Sequence, residues 1–110
     1  MKTHGLLIDY KYCTGCHACE IACRNEHDIA GDEWGIKVAE IGPLKLKGKW
    51  AWDYIPMPTD LCDLCEERRV AGKKPACVHH CLAACMEVVP VEDISARMQA
   101  SGDKVVSYIP

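Results

Sequence analysis

Phenylalanine does not occur in this sequence, and its aromatic complement is three Trp and four Tyr. Apolar packing therefore rests mainly on aliphatic side chains, in a chain short enough to bury only a limited fraction of its surface. Long apolar runs are missing too: no stretch approaches the ~20 residues that a membrane-spanning helix needs. The opening MKTHGLLIDYKYC sets Lys2 ahead of the short apolar run GLLI. That run is too short for the core of a secretory signal, and no twin arginine precedes it. The expected compartment is the cytoplasm; a periplasmic location would require carriage by a partner that bears a signal. Positive charge is not in excess. The formal net charge is −3, which leaves no electrostatic footprint for nucleic acid. Nor is there a Walker loop, a dinucleotide fingerprint, an HExxH helix or a nucleophile–base pair. The chain is expected not to be an enzyme on its own.

Cysteine is what the chain has in quantity: nine in 110 residues, close to the level of a cysteine-built scaffold. An odd count leaves one thiol over in any disulfide scheme, and structural disulfides are rare in a reducing compartment. Metal binding is the remaining use. Residues 13–24 read CTGCHACEIACR, with Cys13, Cys16, Cys19 and Cys23 at C-x2-C-x2-C-x3-C spacing. Structural zinc takes four tetrahedral ligands, usually as two short pairs from separate knuckles. Three thiols at i, i+3 and i+6 instead suit a loop wrapped around one cubane. The small residues Gly15 and Ala18 lie where backbone must approach inorganic sulfide, and Cys23 follows Cys19 by one helical turn. Residues 62–81, CDLCEERRVAGKKPACVHHC, place Cys62, Cys65, Cys77 and Cys81 at C-x2-C-x11-C-x3-C. Alone, this second run also fits zinc. Beside the first it is the other half of a pseudo-symmetric pair, because Cys77 and Cys81 repeat the C-x3-C of Cys19 and Cys23. The insertion EERRVAGKKPA reads as a loop, with Gly72 and Pro75 as breakers.

The first run has the spacing found in bacterial two-cluster ferredoxins, in which the fourth Cys of such a run ligates the other cluster. That resemblance implies one [4Fe–4S] cluster on Cys13, Cys16, Cys19 and Cys81, and a second on Cys62, Cys65, Cys77 and Cys23. CTGCHACEIACRNEH also resembles the opening cluster motif of the iron-sulfur subunits that accompany dimethyl sulfoxide reductase-type molybdenum and tungsten enzymes. CDLCEERRVAGKKPACVHHC resembles their closing motif, including GKKPACV at 72–78, although Leu82 stands where Pro commonly follows the last ligand. Together the two motifs cover roughly a third of the chain. The resemblance implies an α+β, ferredoxin-like, pseudo-symmetric two-cluster fold. It also implies a larger molybdopterin-dependent catalytic subunit as partner and an external electron carrier. A free-standing ferredoxin and a zinc-stabilised binding module are the rival readings. The 38 residues between Cys23 and Cys62 and the 25 after Cys85 exceed what a minimal ferredoxin needs, which favours a dedicated partner.

The remaining elements assemble into one domain, 1–110, with an insertion at 32–58 and a helix–strand extension at 86–110. Strands are predicted at 5–10, 34–41, 49–56, 86–90 and 104–109, and short cluster-bearing helices at 20–29 and 76–84. VEDISARMQA reads as an amphipathic helix. GPLKLKG reads as a turn-rich connection inside an inserted β-hairpin, and PMPTD as a breaker before Cys62. Alternation puts Trp50 and Trp52 on one face, expected to be buried, with Trp34 nearby; they either shield a cluster or dock a partner. Lys45, Lys47 and Lys49 mark a solvated strand edge, with steering of an acidic partner as the alternative. Arg68, Arg69, Lys73 and Lys74 are placed to offset cluster charge. Cys85, four residues after Cys81 on the same helical face, reads as a small buried hydrophobe, with an alternate fourth ligand or a contact to a partner as the sharper readings. His17, His79 and His80, inside the runs, are candidates for hydrogen bonds to cluster sulfur.

Overall fold

The computed structural model describes residues 3–110. Among these, four α-helices and five strands form two small antiparallel sheets, so the fold is α+β. Strand β1 (His4–Asp9) is the centre of a three-stranded sheet ordered β4-β1-β5, flanked by β4 (Met86–Pro90) and β5 (Val105–Tyr108). The segment from 86 onward therefore supplies two of this sheet's three strands. β1 takes the central place by composition, since Gly5, Leu6, Leu7 and Ile8 are all buried, as a strand covered on both faces must be. Gly5 has to be glycine: a Cβ there would lie 2.8 Å from Ile94 Cδ1 and 2.9 Å from the Tyr108 carbonyl oxygen.

The second sheet is the hairpin of β2 (Ile36–Leu46) and β3 (Lys49–Pro58). It is longer than the sequence predicts. GPLKLKG is mostly strand, interrupted by a bulge between Ile41 and Leu44, and Pro56, Met57 and Pro58 still belong to β3. The reversal is only Lys47-Gly48, both at positive φ, as a two-residue hairpin turn requires. Pairing is nested: β1 with β4, β2 with β3. Helix α1 (Ala18–His27) packs on α3 (Ala76–His80). The halves β1-α1-β2 and β3-α3-β4 thus face one another across the core.

The helices differ from expectation in number and length. Two were predicted beside the cysteines; α2 (Glu66–Val70) is additional, in the insertion read as a loop. Glu66 and Glu67 at its start and Arg68 and Arg69 at its end match the helix dipole. Arg69 Nε donates to the Leu64 carbonyl and Arg68 Nε to that of Lys74, both clamping the turn. α3 stops at His80, not 84, because Cys81 is already extended (φ −76°, ψ 109°) and Ala84 N–H closes a turn onto the Cys81 carbonyl at 3.1 Å. The predicted 91–100 helix is a 3-10 turn followed by α4 (Ile94–Ser101). Among the described residues no helix is long and apolar enough to cross a membrane.

Candidate metal centre

The nine cysteines form no disulfide, and the fold gathers eight of them from the two runs, with Cys85 just beyond the second. Around the first position, called site 1, stand Cys13, Cys16, Cys19, Cys81 and Cys85. They line one pocket with Val38, Pro56 and Met86. Cys13 senses the charges of Cys81 and Cys16, and Cys19 those of Cys13 and Cys81. Around the second, site 2, stand Cys23, Cys62, Cys65 and Cys77. Cys23 senses Cys65 and Cys62, and Cys77 senses Cys65, Cys19, Cys62 and Cys23. Each set mixes thiols of the two runs.

Local backbone explains how the loops present these sulfurs. His17, Gly15, Leu64 and Cys65 all have φ between 51° and 73°. Such left-handed positions turn the two loops sharply around the cysteines. Gly15 suits this conformation, and it also lies against the Tyr54 ring, which a Cβ would meet at 2.7 Å. Asp63 accepts the Cys65 N–H at 2.8 Å and tightens the Cys62–Cys65 turn. At Gly35 a Cβ would run into Cys23 Sγ, so that glycine is the space the sulfur occupies.

The hairpin is fastened to this region by Glu20, the one buried acid among the described residues, at 2% exposure. It accepts the Val38 N–H at 2.6 Å and pairs with His17 Nδ1 at 3.0 Å and Lys37 Nζ at 3.6 Å. Trp34 is held between Arg24 and Lys37, 4.4 and 4.1 Å from its ring centre. The expectation of a buried Trp50/Trp52 face is not met. Trp50 is 72% and Trp52 55% exposed, because the outer half of the hairpin extends past the core. Trp52 Nε1 donates to Glu40 at 2.7 Å, and Lys45 lies opposite Trp50.

His79 and His80 are exposed and meet each other edge-on, whereas His17 lines the site 1 pocket with its Nδ1 paired to Glu20. The histidine that reaches a cysteine is His27, with Nε2 3.0 Å from Cys65 Sγ and 3.9 Å from Asp63 Oδ1. It lies at the end of α1, outside both cysteine runs, where spacing gives no signal. Gly35 and Glu20 were equally invisible, since their roles come from contacts across the fold. Cys85 is not on a helical face with Cys81; the turn ending α3 brings it there, with the two Sγ atoms 3.6 Å apart.

Burial is the first cause of every resolved cysteine shift. It pushes Cys19 up to about 12 and Cys23 to about 11, and it also raises Cys13, Cys65, Cys77 and Cys85. Neighbouring thiolates add to it at Cys19, Cys23 and Cys77. Clustered, buried thiolates without a cation are unfavourable, whereas a metal takes the place of the proton and makes them the stable form. The donor chemistry therefore fits metal: two sets of at least four soft sulfur donors, and glycine where a side chain would fill the cradle.

No protein-family model matches the sequence. It is similar to the B subunit of polysulfide reductase from Wolinella succinogenes, 39% identical over 54 residues. The matched stretch is 48% of this protein and 28% of that relative's length. The match agrees in general kind with the sequence reading: the relative is one subunit of a reductase.

Proposed function

We propose that this protein is an electron-transfer iron-sulfur subunit carrying two [4Fe–4S] clusters. Cys13, Cys16, Cys19 and Cys81 hold one at site 1, and Cys62, Cys65, Cys77 and Cys23 hold the other at site 2. The observation that carries the reading is the sorting of thiols into two sets, each drawn from both runs. When bound, such clusters accept and return single electrons. The protein's part is to hold, insulate and tune them. Val38, Pro56 and Met86 wall site 1 with apolar surface. At site 2, burial pushes the Cys65 thiol up, and the Arg68 charge pulls the other way. A thiolate has no hydrogen to give, so the His27 ring N–H donates to Cys65.

The protein serves a larger catalytic subunit, a molybdopterin enzyme by the resemblance of its motifs, and passes electrons between it and an external carrier in the cytoplasm. The similarity to a polysulfide reductase subunit supports a reductase assembly. The exposed Trp50 and Trp52 favour a docked subunit over a free ferredoxin, since aromatics are enriched at interface cores. Anaerobic purification with the neighbouring gene product tests all of this. The expected result is about eight iron and eight acid-labile sulfide per molecule, coupled S = 1/2 EPR signals on reduction, and co-elution with a molybdopterin protein. Stoichiometric zinc in a colourless protein, or a monomer indifferent to its neighbour, would reject the reading in its first or second half. Cell fractionation tests the compartment.

A further inference from the structure

We propose that Cys81 and Cys85 are a redundant ligand pair, either of which completes site 1. The inference rests on the cluster reading above and concerns only this protein's own sulfurs. Site 1 contains five thiols where a cubane takes four, while site 2 contains four. Cys81 Sγ and Cys85 Sγ are 3.6 Å apart, in van der Waals contact. Ligands to two different corners of one cubane point away from each other, so two touching sulfurs do not both serve the same cluster. They compete for one corner.

Cys85 is not adjacent by accident of a flexible loop. It is 5% exposed. Its carbonyl accepts the Asp9 N–H at 2.8 Å, and the next residue, Met86, stands opposite Ile8 in the sheet. The end of β1 thus fixes Cys85 from one side, while α3 fixes Cys81 from the other. Cys85 also lines the same pocket as Cys13, Cys16 and Cys19, so it faces the same centre as the first run. Loss of the Cys81 sulfur therefore leaves a second, independently anchored sulfur at the same corner. With Cys81 absent, Cys85 would be the residue that holds a cluster at that corner, its thiol proton passing to solvent on ligation with no change of oxidation state.

The test uses the full-length protein, co-expressed with its neighbour, as Cys81→Ala, Cys85→Ala and the double variant. Iron, labile sulfide and the EPR of both clusters are measured anaerobically. Each single variant is expected to keep the parent's full iron and sulfide, with a changed site 1 signal in Cys81→Ala. The double variant is expected to lose about half of both. Where a variant does not accumulate in folded form, iron-sulfide reconstitution of the denatured protein supplies the same counts. Loss of site 1 in either single variant overturns the redundancy while the parent's clusters leave the cluster reading standing. A parent protein without iron and sulfide overturns both.

Discussion

Site 1 and site 2 draw their cysteines from the same two runs, yet their surroundings are unlike. Site 1 has a surplus sulfur and an apolar wall, with Val38 and Pro56 of the hairpin base and Met86 of β4 against it. Site 2 has no spare thiol and a polar border: His27 and Asp63 touch Cys65, and Arg68 bridges to Glu26 at 3.5 Å. The difference teaches that ligand spacing settles only which sulfurs are available. Tolerance to ligand loss and the charge around each centre are decided by what the fold packs behind them.

The largest expected effect falls on both sites together. Iron removal by a chelator under reducing conditions should abolish the cooperative fold, because the apolar core is small and metal binding supplies folding energy. Far-ultraviolet circular dichroism before and after chelation reads this; a native-like metal-free spectrum would mean that the sheet and helices stand without either centre. Next comes the asymmetry itself. Cys23→Ala should remove the site 2 cluster, about half of the iron, with site 1 EPR unchanged, since no spare sulfur stands beside it. Equal tolerance at the two sites would erase the contrast.

Gly35→Ala asks how finely site 2 is shaped. The new methyl meets Cys23 Sγ; overpacking of this kind costs about 1–3 kcal/mol. We expect reduced thermal stability and partial iron occupancy confined to site 2. Changing Trp50 and Trp52 together to Ser should leave both cluster spectra alone and weaken partner binding roughly thirtyfold, about 2 kcal/mol, as titration calorimetry would measure. A shift in the site 1 spectrum instead would make the hairpin tip a shield for that site. The smallest effect is expected at His27. With its N–H donating to the Cys65 sulfur, the bond strengthens as the cluster gains charge. His27→Ala should therefore lower the site 2 potential by roughly 40 mV, about 1 kcal/mol for one electron, with site 1 unmoved in a redox titration.

Much of the fold was legible in advance. Every strand begins within two residues of its predicted start, because the strands read as short apolar or alternating runs between breakers, and GLLID in particular is apolar enough to be central. What misled was local chemistry at the joins. The insertion at 66–70 looked like a loop but has acids first and arginines last, enough for a short helix once Arg69 and Arg68 find carbonyls. The helix from 76 looked longer because CVHHCLAAC has no breaker; it ends early because β4 must already pair with β1 at Met86. Alternation correctly put Trp50 and Trp52 in a strand and wrongly buried them, since periodicity records a shared face and not what covers it.

The sequence by itself determined the chemistry on offer: nine thiols, their two spacings, the short strands, and the absence of any competing catalytic motif. Those properties are local, carried by residue type and separation along the backbone. Only the tertiary structure decided that Cys85 rests on Cys81, that His27 and not His79 or His80 reaches a sulfur, and that Gly35 leaves room for Cys23. Each of these joins segments far apart in sequence or across a turn. Each depends on sheet register and helix packing to within an ångström, a precision that spacing along the sequence does not contain.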